Sequence, residues 1–166
     1  MVTIDNLTIP RTIDGKQKRY NLLFDHIQDT VDPADPLVSN LGNIAALLHH
    51  GMGFSWTGFY TVADDDLVLG PFQGPAAIVR IPRGVGVCGK AFNQECTVIV
   101  DDVEQFAGHV PVTDEDKSEM VVPAFLDGEI HLLLNVNSKK IRNFTEIDKL
   151  HLERMMHWVE KTLIKF

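Results

Sequence analysis

The 166-residue sequence contains only two cysteines, Cys88 and Cys96. Two thiols cannot build a disulfide framework and cannot complete a four-thiolate zinc site. Long apolar runs are absent as well: none approaches the ~18 residues that a membrane span needs. The stretch from Met1 to Arg11, broken by Asp5, Asn6 and Pro10, contains no secretory h-region. Positive charge is scarce, with 15 Lys and Arg against 23 Asp and Glu and a net charge of -8. That balance excludes the basic footprint of a protein that binds nucleic acid or an anionic membrane surface. The seven histidines include no i, i+4 pair and no H-E-x-x-H, so no metal site is expected. Neither a P-loop nor a G-x-S-x-G string occurs. A soluble cytoplasmic chain is expected, folding as one domain over residues 1–166 with 1–15 as an N-terminal extension. A chain of this length can bury roughly 68–70% of its unfolded surface.

The hydrophobic spacing sets out an order of elements. Tyr20, Leu23, Phe24 and Ile27 recur at i, i+3, i+4 and i+7, which predicts an amphipathic helix over residues 16–30. A second helix is expected from Asp35 as cap and Pro36 in the first turn to Gly51 at the end. Residues 54–62 are β-branched and aromatic; Asp64-Asp65-Asp66 turns the chain and residues 67–72 run back, a hairpin. Residues 76–81 and 97–100 read as further strands around a short helix over 87–93. Met120 to Phe125 and Ile130 to Val136 form another pair around an Asp127-Gly128 turn. A closing helix runs from Glu146 to about Ile164, opened by Thr145 with Asp148 three places on. This order predicts an α+β domain, a central antiparallel sheet flanked by helices.

Gly84, Gly86 and Gly89 satisfy G-x-G-x-x-G, but the context excludes a dinucleotide site. About eight residues separate the helix start from the next strand, too few for a parallel crossover. A glycine-rich turn fitting tightly against the sheet is the better reading. Cys88 sits in that turn, at the N-terminus of the short helix. It is the one candidate catalytic residue, because unpaired N–H groups there can stabilise a thiolate. It can equally be a small apolar plug beneath the glycines, and that reading is preferred. Trp56, Phe59 and Tyr60 are expected to alternate along a strand, core on one face and partly exposed on the other, with a pocket wall as a second possibility.

Several strings then occur in a distinctive order: Trp56 to Tyr60 (WTGFY), Leu67 to Pro75 (LVLGPFQGP), Gly86 to Gly89 (GVCG), Val103 to His109 (VEQFAGH) and Ser118 to Pro123 (SEMVVP). Together they resemble the GAF-domain family of free methionine-(R)-sulfoxide reductases over roughly residues 17 to 160. The resemblance implies a GAF-like fold with a small enclosed pocket, a cytoplasmic location, pairing into homodimers and no cofactor. In that family a thiolate attacks the sulfoxide sulfur, a neighbouring acid protonates the departing oxygen, and a second cysteine resolves the sulfenic acid. A thioredoxin-like partner then reduces the disulfide.

Mapped onto this sequence, the family pattern keeps one thiol of three, Cys88. Ile78 stands where one family cysteine lies, before the Arg80-Ile81-Pro82 string. Val112 stands where the attacking thiol follows the Gly-His motif, and Thr113 replaces its neighbouring Asp. Glu119 matches the family's ligand-holding Glu, while Asn135 and Asn137 replace its paired acids. Alternation puts both Asn on one strand face, directed at a pocket or at solvent. Asn can hydrogen-bond a ligand but cannot act as an acid or supply a counter-charge. The expected function is therefore small-molecule binding through Trp56, Tyr60, Glu119, Asn135 and Asn137 without the family's redox catalysis. Two alternatives stand beside it: a reductase using Cys88 and an external reductant such as thioredoxin, and a structural dimer module with a collapsed pocket.

Overall fold

The computed structural model describes residues 13–164. Most of the 1–15 extension, and with it the Met1 to Arg11 stretch, lies outside them. Helices α1 (Ile13–Thr30) and α2 (Leu37–Met52) come first, followed by the hairpin β1 (Trp56–Ala63) and β2 (Asp66–Gln73). Next are β3 (Arg80–Pro82), α3 (Gly86–Gln94), β4 (Val98–Val100) and a 3-10 turn at Val103–Gln105. The second hairpin, β5 (Ser118–Leu126) and β6 (Glu129–Ser138), and the helix α4 (Glu146–Thr162) complete the order. The strands form one six-stranded sheet in the order β3-β2-β1-β6-β5-β4, with every neighbouring pair antiparallel. The expected α+β class holds.

Alternation along the two central strands divides the core. Phe59 on β1, Met120 and Val122 on β5, and Leu132, Leu134 and Val136 on β6 point to the layer of α1, α2 and α4. Trp56, Tyr60, Val121 and Leu133 point to the other side, where they meet Val87, Cys88 and Phe92 of α3. Both faces are thus covered, and this corrects the expected half-exposed strand: Trp56, Phe59 and Tyr60 are all buried. Asn135 and Asn137, whose face the sequence left open, are buried too.

Three local expectations shift for physical reasons. Asp35 does not cap α2; Pro36 is the cap residue, without a side-chain bond, and Asn40 Nδ2 closes the turn instead by donating to the Asp32 carbonyl at 2.7 Å. Gly51 does not end the helix. Gly53 does, in the left-handed region at φ 69°. Gly51 instead makes room for packing, because a Cβ there would lie 2.3 Å from a Leu23 methyl carbon and force that side chain to move. Of the strand expected over 76–81, only its end pairs, as β3. The preceding carbonyls serve other donors: Trp56 Nε1 donates to Pro75 O at 2.9 Å and the Tyr60 hydroxyl to Ile78 O at 3.2 Å.

Hairpin turns and the last helix form as the local sequence dictates. Asp64-Asp65 and Asp127-Gly128 take the two positive φ values that a tight hairpin turn demands. Thr145 and Asp148 make a full capping box on α4. The Asp148 carboxylate does more than cap: it is wholly buried, accepts from the Tyr20 hydroxyl at 2.6 Å and pairs with Lys16, both on α1. One side chain thus ties the first helix to the last. Tyr20→Phe removes a buried donor to a charged acceptor and should cost about 1.5–3 kcal/mol. Asp148→Ala strands Tyr20, Lys16 and the cap together and should cost more. Urea denaturation of the two variants checks both the magnitude and the ranking.

Candidate functional site

The site grows from the face of the sheet that meets α3. Ladder register sets Glu119 of β5 opposite Asn137 of β6, and Asn137 opposite Trp56 of β1. Two residues along β6, Asn135 lies between Gly58 and Val121. A polar row therefore crosses a sheet face that is otherwise apolar. Above it α3 begins, with its first turn tight against the preceding loop: a Cβ on Gly89 would approach the Gly84 carbonyl carbon to 2.7 Å. This is the close-packed glycine turn expected from the sequence.

Between them is a small cavity of about 10 Å³, room for about one water. Tyr60, Cys88, Glu119 and Asn135 line it together with an apolar wall that includes Ile78, Val87, Val110 and Val112. Four of the six residues singled out from the sequence thus meet at one place. The other two stand beside it. Trp56 stacks on Phe72 with centroids 5.4 Å apart and on Tyr60 at 6.2 Å, outside the cavity wall. Asn137 lies behind Asn135, its Nδ2 3.4 Å from Asn135 Oδ1, and its own Oδ1 is buried without a partner.

Glu119 and Cys88 set the electrostatics. Burial raises the Glu119 carboxyl above its ordinary value of 4.5, against the pull of His109 and Asn135, which favour the charged form. The His109 imidazole donates from Nε2 to Glu119 Oε2 at 2.9 Å, with both side chains largely buried. In the sequence His109 stands among the unspaced histidines and at the end of the Val103 to His109 string, and nothing local to it signals this pairing. Burial also pushes the Cys88 thiol well above its ordinary value, and the negative charge of Glu119 adds to the shift. Cys88 is therefore a protonated thiol in the closed site, whereas Cys96 is exposed. Tyr60, buried beside both, is shifted upward as well and keeps its proton. Among the described residues no group of His, Cys, Asp and Glu is arranged to hold a metal.

The sheet has helices on both faces and a buried polar row beneath a glycine turn, and the comparisons give its family. A model of the GAF domain matches residues 40–160, and the chain belongs to the GAF-domain family. It is 42% identical over 143 residues to GAF domain-containing protein A of Dictyostelium discoideum, covering 86% of this chain and 90% of that protein. It is 39% identical over 127 residues to the free methionine-R-sulfoxide reductase of Escherichia coli, with 76% and 77% covered. The crystallographic structure of the Neisseria meningitidis free methionine-R-sulfoxide reductase in complex with its substrate superposes with a TM-score of 0.82 at 37% identity, over 91% of this chain and 89% of that one. The protein is thus a GAF domain similar to these reductases. Among the described residues no helix is long and apolar enough to cross a membrane.

Three measurements examine the site. Because the folded pKa of Glu119 is raised, its contribution to stability is full below about pH 4.5 and is lost as pH rises through the folded value. Glu119→Gln should remove that part of the decline, seen as the difference between the two proteins' urea midpoints from pH 4.5 upward. Iodoacetamide should modify Cys88 more slowly than Cys96 in the folded protein. Cys88→Ala should cost about 1–2 kcal/mol through lost burial and a small void.

Proposed function

We propose that this protein binds a small polar molecule at the Glu119 cavity and lacks the redox catalysis of the reductases it resembles. The observation that carries the reading is the buried polar row. Glu119, Asn135 and Asn137 are each at most 3% exposed, and Asn137 Oδ1 is unpartnered. Burying such groups is costly unless something hydrogen-bonds them. A collapsed structural pocket would be better filled with apolar side chains. A ligand that supplies donors and acceptors gives the row a purpose.

The loss of redox chemistry is supported at the same place. Ile78 and Val112, which stand where the resemblance puts two of the family's three thiols, both line the cavity with Cys88. Neither can attack sulfur or resolve a sulfenic acid. The thiol that remains is held protonated by burial. With Asn at 135 and 137 the cavity has one carboxylate, so it suits a ligand that is neutral or less cationic than free methionine sulfoxide. Homodimer formation and a cytoplasmic location, both implied by the resemblance, belong to the same proposal.

The decisive experiment has three arms. Methionine-(R)-sulfoxide with dithiothreitol or thioredoxin should give no turnover; a turnover that vanishes in Cys88→Ser would make Cys88 the attacking thiol and reverse the reading. A thermal-shift screen of small metabolites should find a stabilising ligand, whereas none would favour a purely structural module. Asp restored at both 135 and 137 should strengthen the binding of zwitterionic amino acids in calorimetry.

A further inference from the structure

The cavity is closed by a strap of chain from Ala107 to Lys117 that contains neither helix nor strand. Val110, Pro111 and Val112 of the strap form part of the cavity wall, and Val110 packs on the positive-φ Gly86, where an added Cβ would meet it at 3.1 Å. The far end is firmly held. Lys117 N donates to Ser138 O at 2.8 Å, and the buried Asp116 carboxylate accepts from Ser55 Oγ at 2.6 Å and Thr113 N at 3.1 Å. From Ala107 to Val112, one side-chain hydrogen bond among the described residues ties the strap to the body: His109 to Glu119. Outside the first strap residues an open groove of about 400 Å³ runs along α3, sharing Val85 and Gly86 with the cavity wall.

We propose that His109 stands in for the ligand's donor group, holding Glu119 while the cavity is closed, and that a ligand enters by taking Glu119 from it and releasing the strap. The proposal rests on the reading of Glu119 as the ligand-holding group. Room supplies the first argument. A cavity of about 10 Å³ holds a water, whereas small-molecule sites run to about 300 Å³ and more. Some wall must yield. Of the wall residues outside the sheet ladder and the helices, Ile78 is held at its carbonyl by the Tyr60 hydroxyl and Val85 by backbone bonds to Pro82 and Gly89, which leaves Val110 to Val112 of the strap. Coupling supplies the second argument. If His109 leaves alone, a buried carboxylate is stranded without its partner, which is strongly unfavourable. The strap therefore opens together with the arrival of another donor. This makes His109 a specificity-determining residue: a molecule that carries an ammonium or amide donor can exchange with it, and an anion of the same size cannot.

Hydrogen exchange in the ligand-free protein tests the tether. In His109→Ala the amide of residue 109, which donates to the Phe106 carbonyl, should exchange at least about tenfold faster than in the wild type. The amide of Val103, bonded to Lys117 O at the fixed end, should be unchanged. His109→Gln, which keeps a donor, should restore slow exchange. Unchanged exchange at the strap in His109→Ala overturns the tether. Calorimetry with n-butylammonium and butyrate tests displacement: the ammonium should bind, about threefold or more tighter to His109→Ala than to the wild type, and butyrate should bind neither. Weaker ammonium binding to the variant overturns displacement, because His109 then belongs to the binding surface. If the ammonium binds neither protein, Glu119 does not hold ligands and the functional reading fails, whereas failure of the tether alone leaves ammonium binding intact.

Discussion

The architecture depends on the pairing of β1 with β6 at the centre of the sheet, where both strands are buried on both faces. Alternate residues of β6 feed two cores: Leu132, Leu134 and Val136 pack under α1, α2 and α4, while Leu133 packs toward α3. A slip of one residue would exchange these sets and drive Asn135 and Asn137 into the helical layer. Register is therefore enforced from both sides, and the polar row inherits its position from that constraint. The site is as well placed as it is because moving it would mean dismantling two cores at once.

Around this centre, polar groups close what hydrophobic packing leaves open. Asp148 joins α1 to α4 through Tyr20 and Lys16 while capping its own helix. Glu119 plays a comparable part across the sheet, but with a loop residue as its partner. The two carboxylates differ in what surrounds them. Asp148 is held by several donors on two helices and a cap, so no one of them can be exchanged for a ligand. Glu119 has an imidazole on an irregular strap and an Asn beside it, an arrangement in which exchange is structurally possible.

Much of this fold was legible in the sequence where the cause is local. The Asp127-Gly128 turn, the Thr145–Asp148 capping box and the three long helices follow from residues within one or two turns of each other. What escaped depends on partners distant in the chain. Gly51 has the right residue type for a helix end, yet it serves the approach of Leu23, and Gly53 takes the cap. The segment over 76–78 looked like a strand because of its apolar residues, but the carbonyls of Pro75 just before it and of Ile78 at its end are used by Trp56 and Tyr60, some 18 residues earlier. In the site, the resemblance to the reductases pointed to Tyr60, Cys88, Glu119 and Asn135, which the fold gathers around one cavity. The same resemblance pointed to Trp56 and Asn137, which it leaves just outside. Nothing local distinguishes the two groups, because the difference arises from how far α3 and the strap cover the sheet.

The alternation of β6 also bears on how such a protein can change over generations. Side chains at 135 and 137 can be exchanged between acid and amide while the neighbours at 134 and 136, which carry the helical layer, stay as they are. Heritable variation in the polar row is thereby separated from variation in the helical layer, along a single strand of ten residues. A lineage can vary positions 135 and 137 while selection for foldedness acts on 133, 134 and 136.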